Sequence, residues 1–293
     1  MTPIIPYHSP RSDLSEEKRM NKRGLTLIEL LVVLVISSVL IAGIYRTFIG
    51  QQHTYTVQEQ VVDMQQNVRM AINQMVRDIR MAGFGGRDAT KWGASGMHGV
   101  YKNVVTPSDG GQSITVVGAF QEMTFLTINA ASGVDPAKIN VNDASGFNTG
   151  GGLQYLCING SESARIKNIV GNEIELFDPL VENHFANEPI FLVMAITYSV
   201  GVFEGKSSLL RNDNITGDQP LAENIELLQF TYTLADGTVF VGTVPANRRD
   251  EIRMVQVTIR AITDRPDPEL GGGDGFRRRT LTSNIQLRNL SSL

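Results

Sequence analysis

The residues Lys22-Arg23-Gly24-Leu25-Thr26-Leu27-Ile28-Glu29 run straight into Leu30-Leu31-Val32-Val33-Leu34-Val35-Ile36, and no other part of the chain limits its possible folds so tightly. Two cations and a glycine precede a short apolar lead-in, one carboxylate and then an uncharged run reaching Ile44. Counted with Leu25 to Ile28 and Tyr45, the apolar stretch comes to about 20 residues, enough at ~1.5 Å per helical residue to cross ~30 Å of hydrocarbon. The expectation is a membrane-spanning helix over about 25–45. Glu29 is the anomaly in it. A carboxylate inside a span costs on the order of 2.5–3.5 kcal/mol on insertion scales, so it calls for a partner or a function.

An ordinary secretory signal peptide would be cut after its apolar region, at small residues such as those from Ser38 to Gly43. A plain signal anchor would not be cut at all. Neither gives a reason for Glu29 or for Arg-Gly directly before the span. The segment instead resembles the class III signal of type IV pilins and type II secretion pseudopilins. That resemblance implies cleavage after Gly24 by a prepilin peptidase, which also methylates the new N-terminus, Leu25, with Lys22 and Arg23 as the basic residues of the leader. The family usually has Phe at the first mature position. Leu25 departs from it while keeping apolar bulk. The resemblance also implies that Glu29 pairs with the N-terminal amine of a neighbouring subunit, and the physics agrees, because either charge alone is costly in hydrocarbon and the two together cost less.

Residues 1–24 read as a cleaved leader, and Pro3, Pro6 and Pro10 leave its first part without periodic structure. A start at Met20 would leave the short leader Met20 to Gly24, of the kind common in the family. Lys18, Arg19, Lys22 and Arg23 precede the span and Arg46 follows it, which predicts a cytoplasmic N-terminus, a single pass through the inner membrane and a periplasmic remainder. The net charge of −4 argues against a general nucleic-acid-binding surface. Cys157 is the single cysteine and has no partner for an intramolecular disulfide. Its apolar surroundings, Leu153 to Ile158, predict a buried, inert thiol.

Beyond the span, Val57, Val61, Met64, Val68, Ile72, Met75 and Ile79 recur at steps of three and four, which predicts that the helix continues with one apolar stripe. No proline falls between Leu25 and Met81, and Gly83, Gly85 and Gly86 supply the stop. A helix over 25–83 follows, about 87 Å at full extent. Its first half is apolar all round and its second half on one side, so the second half is expected to back a β-sheet rather than form a free coiled coil. The charged residues between the stripe positions, Asp78 and Arg77 among them, would by themselves be a solvated face of little individual weight. Their order in Arg77-Asp78-Ile79-Arg80-Met81-Ala82-Gly83, after Gln65-Gln66-Asn67 and Arg69-Met70-Ala71, resembles the PilW family of minor pilins and the related J-type minor pseudopilins.

Residues 84–293 change to glycine-punctuated segments rich in Val, Ile, Thr and aromatics, and predict a β-rich globular domain. Strands are expected at 114–117, 123–128, 153–158, 173–177, 190–202, 225–234, 238–244, 252–262 and 280–288. Asp236-Gly237 between two of them is a tight-hairpin signal. The clusters at 108–112, 140–152 and 270–275 read as loops, with 129–152 expected to be mobile. Tyr198-Ser199-Val200, Leu209-Leu210-Arg211, Leu221 to Glu226, Leu228-Gln229-Phe230 and Leu287-Arg288-Asn289 also resemble the PilW pattern, while 87–190 carry no motif of it. The implied fold is α+β and type IV pilin-like, a long N-terminal transmembrane helix packed on an antiparallel β-rich domain.

Catalytic patterns are missing from the sequence. His8, His53, His98 and His184 lie in the leader, on the helix and in loops, without metal-ligand spacing. There is no nucleophile elbow and no Walker lysine. Gly83-Phe84-Gly85-Gly86 follows a helix and so is a terminator, not a dinucleotide loop. Asn140-Val141-Asn142-Asp143-Ala144-Ser145-Gly146 gathers oxygens but lacks the terminal acid of a calcium loop. Arg277-Arg278-Arg279 beside Phe276 reads as a bend into the last strand before it reads as a phosphate site. The expectation is therefore a non-enzymatic minor pilin with no cofactor and no metal. Its partners would be the prepilin peptidase and methyltransferase, other minor pilins, the major pilin and the inner membrane. The alternatives are a J-type minor pseudopilin and an anchored periplasmic enzyme or binding protein, the last of which would require a polar pocket in 87–293.

Overall fold

The computed structural model describes residues 26–85, 101, 103–108 and 110–290. Lys22, Arg23, Gly24 and Leu25, like His8, His98 and Gly86, lie outside the described residues. The chain divides into two compact units, one ending at Tyr55 and one running from Thr56 to the C-terminus, and the helix α1 (Leu27–Met81) contributes to both.

In the first unit the large apolar side chains of α1 stand exposed, from Leu27 at 83% to Ile49 at 46%, so this part of the helix presents hydrocarbon outward. It is long and apolar enough to cross a membrane. Three of its hydroxyls bond back to their own helix, Ser38 Oγ to the Val35 carbonyl at 2.7 Å, Thr47 Oγ1 to Gly43 at 3.1 Å and Thr54 Oγ1 to Gly50 at 2.9 Å. Donors satisfied this way leave little polarity facing outward.

In the second unit the expected stripe is the buried face of the helix. Met64, Val68, Ile72, Met75 and Ile79 are buried, Ala71 joins them, and Val57 and Val61 at the near end are half-buried. All of these except Val57 pack in one core with strands of two antiparallel sheets. The larger is nine-stranded among the described residues and centres on β2 (Ser113–Phe125) and β7 (Pro189–Phe203), which pair along their length from Ser113↔Ser199 to Phe125↔Pro189. β1 (Val105–Pro107) flanks β2. The other side of β7 is shared between two partners. Its first part holds β4 (Tyr155–Ile158), which leads to β5 (Glu162–Val170), β6 (Glu173–Leu176) and β3 (Lys138–Asn140). Its last part holds β8 (Lys206–Asn212) and then β9 (Asp218–Glu223).

The smaller sheet runs β11 (Val239–Val241), β10 (Ile225–Leu234), β12 (Ile252–Ile262), β13 (Arg278–Gln286). Leu228, Phe230, Tyr232 and Leu234 alternate inward against Val255, Val257 and Ile259 across the ladder, as period-two burial demands. The β10–β11 hairpin turns at Asp236-Gly237 as expected: Gly237 takes φ +82° and Asp236 accepts from the Thr238 N–H at 2.8 Å.

Several expectations are corrected. The strands expected at 114–117 and 123–128 are one strand, β2, whose two register shifts between Ala119 and Thr124 absorb the polar interruption at Gln121-Glu122. β1, β3, β5, β8 and β9 were not expected at all; in β5 and β8 Lys, Arg, Ser and Asn dilute the β-forming signal. The stretch 129–152 is not a free loop, because β3 pairs with β6 through it and Leu126 bridges Val141.

The end of α1 is tied into the larger sheet. Gly83 and Gly85 adopt φ +79° and +107°, open to glycine without strain. The turn then hydrogen-bonds as a strand would, Gly83 N–H to the Val117 carbonyl at 2.9 Å and Ala119 N–H to Phe84 at 2.8 Å, while Ser163 Oγ donates to Gly85 at 2.7 Å. The approach needs Gly118 as well, since a Cβ there would stand 2.9 Å from the Met81 carbonyl oxygen.

Candidate functional site

Glu29 sits in the first turn of α1. Thr26 and Glu29 form a reciprocal capping pair: the Thr26 N–H and hydroxyl both donate to Glu29 Oε2 at 3.0 Å, and the Glu29 N–H donates to Thr26 Oγ1 at 3.3 Å. The spacing Thr-x-x-Glu is that of a capping box, which satisfies helix-terminal donors and sets an anion at the positive end of the helix dipole. Sequence reasoning passed over this signal, though the pattern is plain in the residues. Glu29 therefore has a local structural role in addition to any pairing between subunits, and its carboxylate is held at the helix start with its side chain exposed.

In the second unit, segments picked out by resemblance converge. Asp78, expected on a solvated helix face, is buried at 7% exposure. Its carboxylate accepts from the Tyr198 hydroxyl at 2.6 Å, Arg211 Nε at 3.0 Å and Gln74 Nε2 at 3.0 Å. Arg211 reaches Asp213 as well, at 3.5 Å. Burial, and next the facing Asp78 charge, push the Tyr198 phenol upward, so it stays a donor. Asn289, from the last motif of the chain, donates to the Met81 and Ala82 carbonyls at 3.3 and 3.1 Å, covering acceptors that the helix end leaves open. These motif residues hold α1 to the sheets. They are joined through the fold by direct side-chain hydrogen bonds.

A second buried polar cluster was not foreseen. His184, 2% exposed, lies between Glu162 at 3.2 Å from Nε2 and Glu188 at 2.8 Å from Nδ1. Glu162 also accepts the N–H groups of Val181 and Glu182, at 2.6 and 3.0 Å. The remaining candidates are absorbed by the fold. Cys157 is buried as expected, and desolvation pushes its thiol up to about 12. Asp143 is held by the Ser145 N–H, which lowers its carboxyl, and Asn172 Nδ2 takes the Asn142 carbonyl. Arg277 pairs with buried Asp267, and Arg278 with Glu226 and Asp274, so these two cations of the triple serve the domain itself. No group of three or more His, Cys, Asp or Glu suited to a metal ion occurs among the described residues. A polar cleft does exist beside the helix, lined by Gln60, Asp63, Asn67, Lys206, Asp264 and Arg265. Lys206 is bridged to Glu223 and Asp264 across it, and no histidine, cysteine or serine lines it.

Residues 19–45 match the family model described as the prokaryotic N-terminal methylation motif. No curated protein and no solved structure matches the chain. The motif and the long apolar helix that it opens support a type IV pilin-like prepilin, of the pilin or pseudopilin kind, acted on by a prepilin peptidase and anchored by a single pass in the inner membrane.

Proposed function

We propose that this chain is a minor pilin, a non-enzymatic subunit that helps to assemble or prime a type IV pilus, cleaved after Gly24 and methylated on Leu25. The observation that carries the proposal is Glu29, a carboxylate in the first turn of an otherwise apolar span inside a methylation motif. The capping box supports a two-stage role for it. In the free subunit Thr26 keeps the carboxylate hydrogen-bonded, and in the filament the Leu25 amine of a neighbour supplies the counter-charge, which makes burial of both in hydrocarbon tolerable. The PilW-like segments that meet at Asp78, Tyr198, Arg211 and Asn289 favour the PilW kind, with the β-rich domain on the periplasmic side. Other minor pilins and the major pilin are the partners this reading requires.

The test is a strain lacking the protein, complemented with wild type or Glu29→Leu, with the mature N-terminus read by mass spectrometry from native membranes. The expected outcome is methylated Leu25 in both and, with Glu29→Leu alone, loss of co-purifying minor subunits and of surface pili. The loss would be partial if the subunit is outermost. An intact leader or a cut near Gly43 would refute the processing, and normal complexes and pili with Glu29→Leu would refute the assembly role. Restored protein secretion in place of pili would assign the chain to the J-type pseudopilins.

A further inference from the structure

We propose that Glu162, His184 and Glu188 form a pH-sensitive latch that locks the segment 180–188 onto β5 and onto the segment 126–133. The argument starts from the two ring nitrogens. A neutral imidazole offers one donor and one acceptor, whereas ionised carboxylates only accept. In this fold Nε2 faces Glu162 Oε2 at 3.2 Å and Nδ1 faces Glu188 Oε2 at 2.8 Å, so toward two carboxylates that only accept, both contacts are hydrogen bonds together when both nitrogens carry protons. Withdrawing one proton turns one of the two contacts into a lone pair facing a carboxylate. At 2% exposure water cannot take up the loss without the segment moving.

What moves follows from the hydrogen bonds. The His184 N–H and carbonyl exchange bonds with Ala130 at 2.8 and 2.9 Å, Gly133 N–H reaches the Leu180 carbonyl at 2.8 Å, and Asn187 N–H reaches Leu126 at 2.7 Å. Asn129 and Asn183 add side-chain bonds across the same pair, to the Ala186 and Ser132 N–H groups. Both segments thus hang on residues within four positions of the imidazole. The ionisable side chains facing it are Glu162 from β5 and Glu188 from its own segment. The segment 126–133 contains no ionisable residue, and Glu182 contributes its backbone N–H to Glu162.

The sign is fixed. Burial by itself would lower the His184 ring, but the hydrogen bonds and charges of the two glutamates outweigh it and raise the ring above its ordinary value near 6.5. A group raised in the folded state stabilises fully below its unfolded pKa and loses that contribution as pH rises through the folded one. The latch is closed on the acid side of the His184 midpoint and loosens as pH rises through it. Ile128, Val181 and Phe185, exposed large apolar residues on the two segments, are what the latch holds in place.

The experiment uses the full chain in detergent micelles, with side-chain NMR of labelled histidine and amide hydrogen exchange read by mass spectrometry, corrected for the intrinsic pH dependence. His184 is expected to titrate above the ordinary histidine value, and exchange in 126–133 and 180–188 is expected to rise with its titration while α1 and β12 stay protected. Glu188→Gln removes one partner at a partly exposed position and should lower the His184 midpoint by about one pH unit, within the range an adjacent opposite charge produces. His184→Gln should make exchange in both segments independent of pH. A His184 midpoint at or below the ordinary histidine value, an unchanged midpoint in Glu188→Gln, or wild-type segments equally protected on both sides of the midpoint would each overturn the proposal.

Discussion

Replacing Asp78 by alanine should cost about 3 kcal/mol, and the reasoning behind that figure can be tested by a cycle with Arg211→Met. Asp78 receives three hydrogen bonds, one from a guanidinium and one from a fully buried phenol. Charge-assisted bonds contribute about 1.5–3 kcal/mol each, and removing one member of a buried ion pair costs about 3–5 kcal/mol because the other is left without its counter-charge. The side chains of Asp78 and Arg211 keep 10% and 14% of their exposure, and Asp213 stands 3.5 Å from the guanidinium, so the lower end of that range applies. For a domain of this size the loss corresponds to about 6–12 °C in Tm, at roughly 2–4 °C per kcal/mol. Arg211→Met should cost a comparable amount. The double variant should cost less than the sum by about 2 kcal/mol, because each single change has already forfeited the shared contact. Urea unfolding of the full chain in micelles, followed by near-UV circular dichroism, measures all four corners. Single costs that add within about 0.5 kcal/mol would show that the two residues act independently and that the ion pair does not hold the helix to the sheet.

Ile79→Asp places a carboxylate at a fully buried position in the helix face, and should lower stability by more than about 4 kcal/mol or prevent folding of the domain. Unchanged melting would mean that the stripe faces water. Cys157, with its thiol pushed up to about 12 by burial, should resist alkylation at pH 8 in the native protein and react at once in denaturant. Stoichiometric native labelling would show that the strand β4 opens locally.

The legibility of this chain varies with the range of the interaction. The apolar span, the stripe from Met64 to Ile79, the Asp236-Gly237 hairpin and the limits of β10 and β12 depend on residues close in sequence, and each was readable from periodicity or turn chemistry. β5 and β8 were not, because their Lys, Arg, Ser and Asn residues are held in strands by neighbours supplied from elsewhere in the chain: β4 and β6 for one, β7 and β9 for the other. Asp78 looked solvated for the same reason, since its partners lie 120 and 133 residues away. His184 is the clearest case. Its loop position was readable and Glu188 stands only four residues away, but Glu162, which completes the pair of carboxylates, meets it only through the loop's packing on β5.

Residues 22–36 by themselves determined that this chain presents a processing motif and a hydrocarbon helix bearing one carboxylate, because membrane insertion and helix capping are local physics. Only the tertiary structure decided which polar residues are buried. That depends on long-range strand pairing and on the close backbone approach at Gly118, which bring Asp78 to Arg211, Asn289 to the helix end, and His184 between two glutamates.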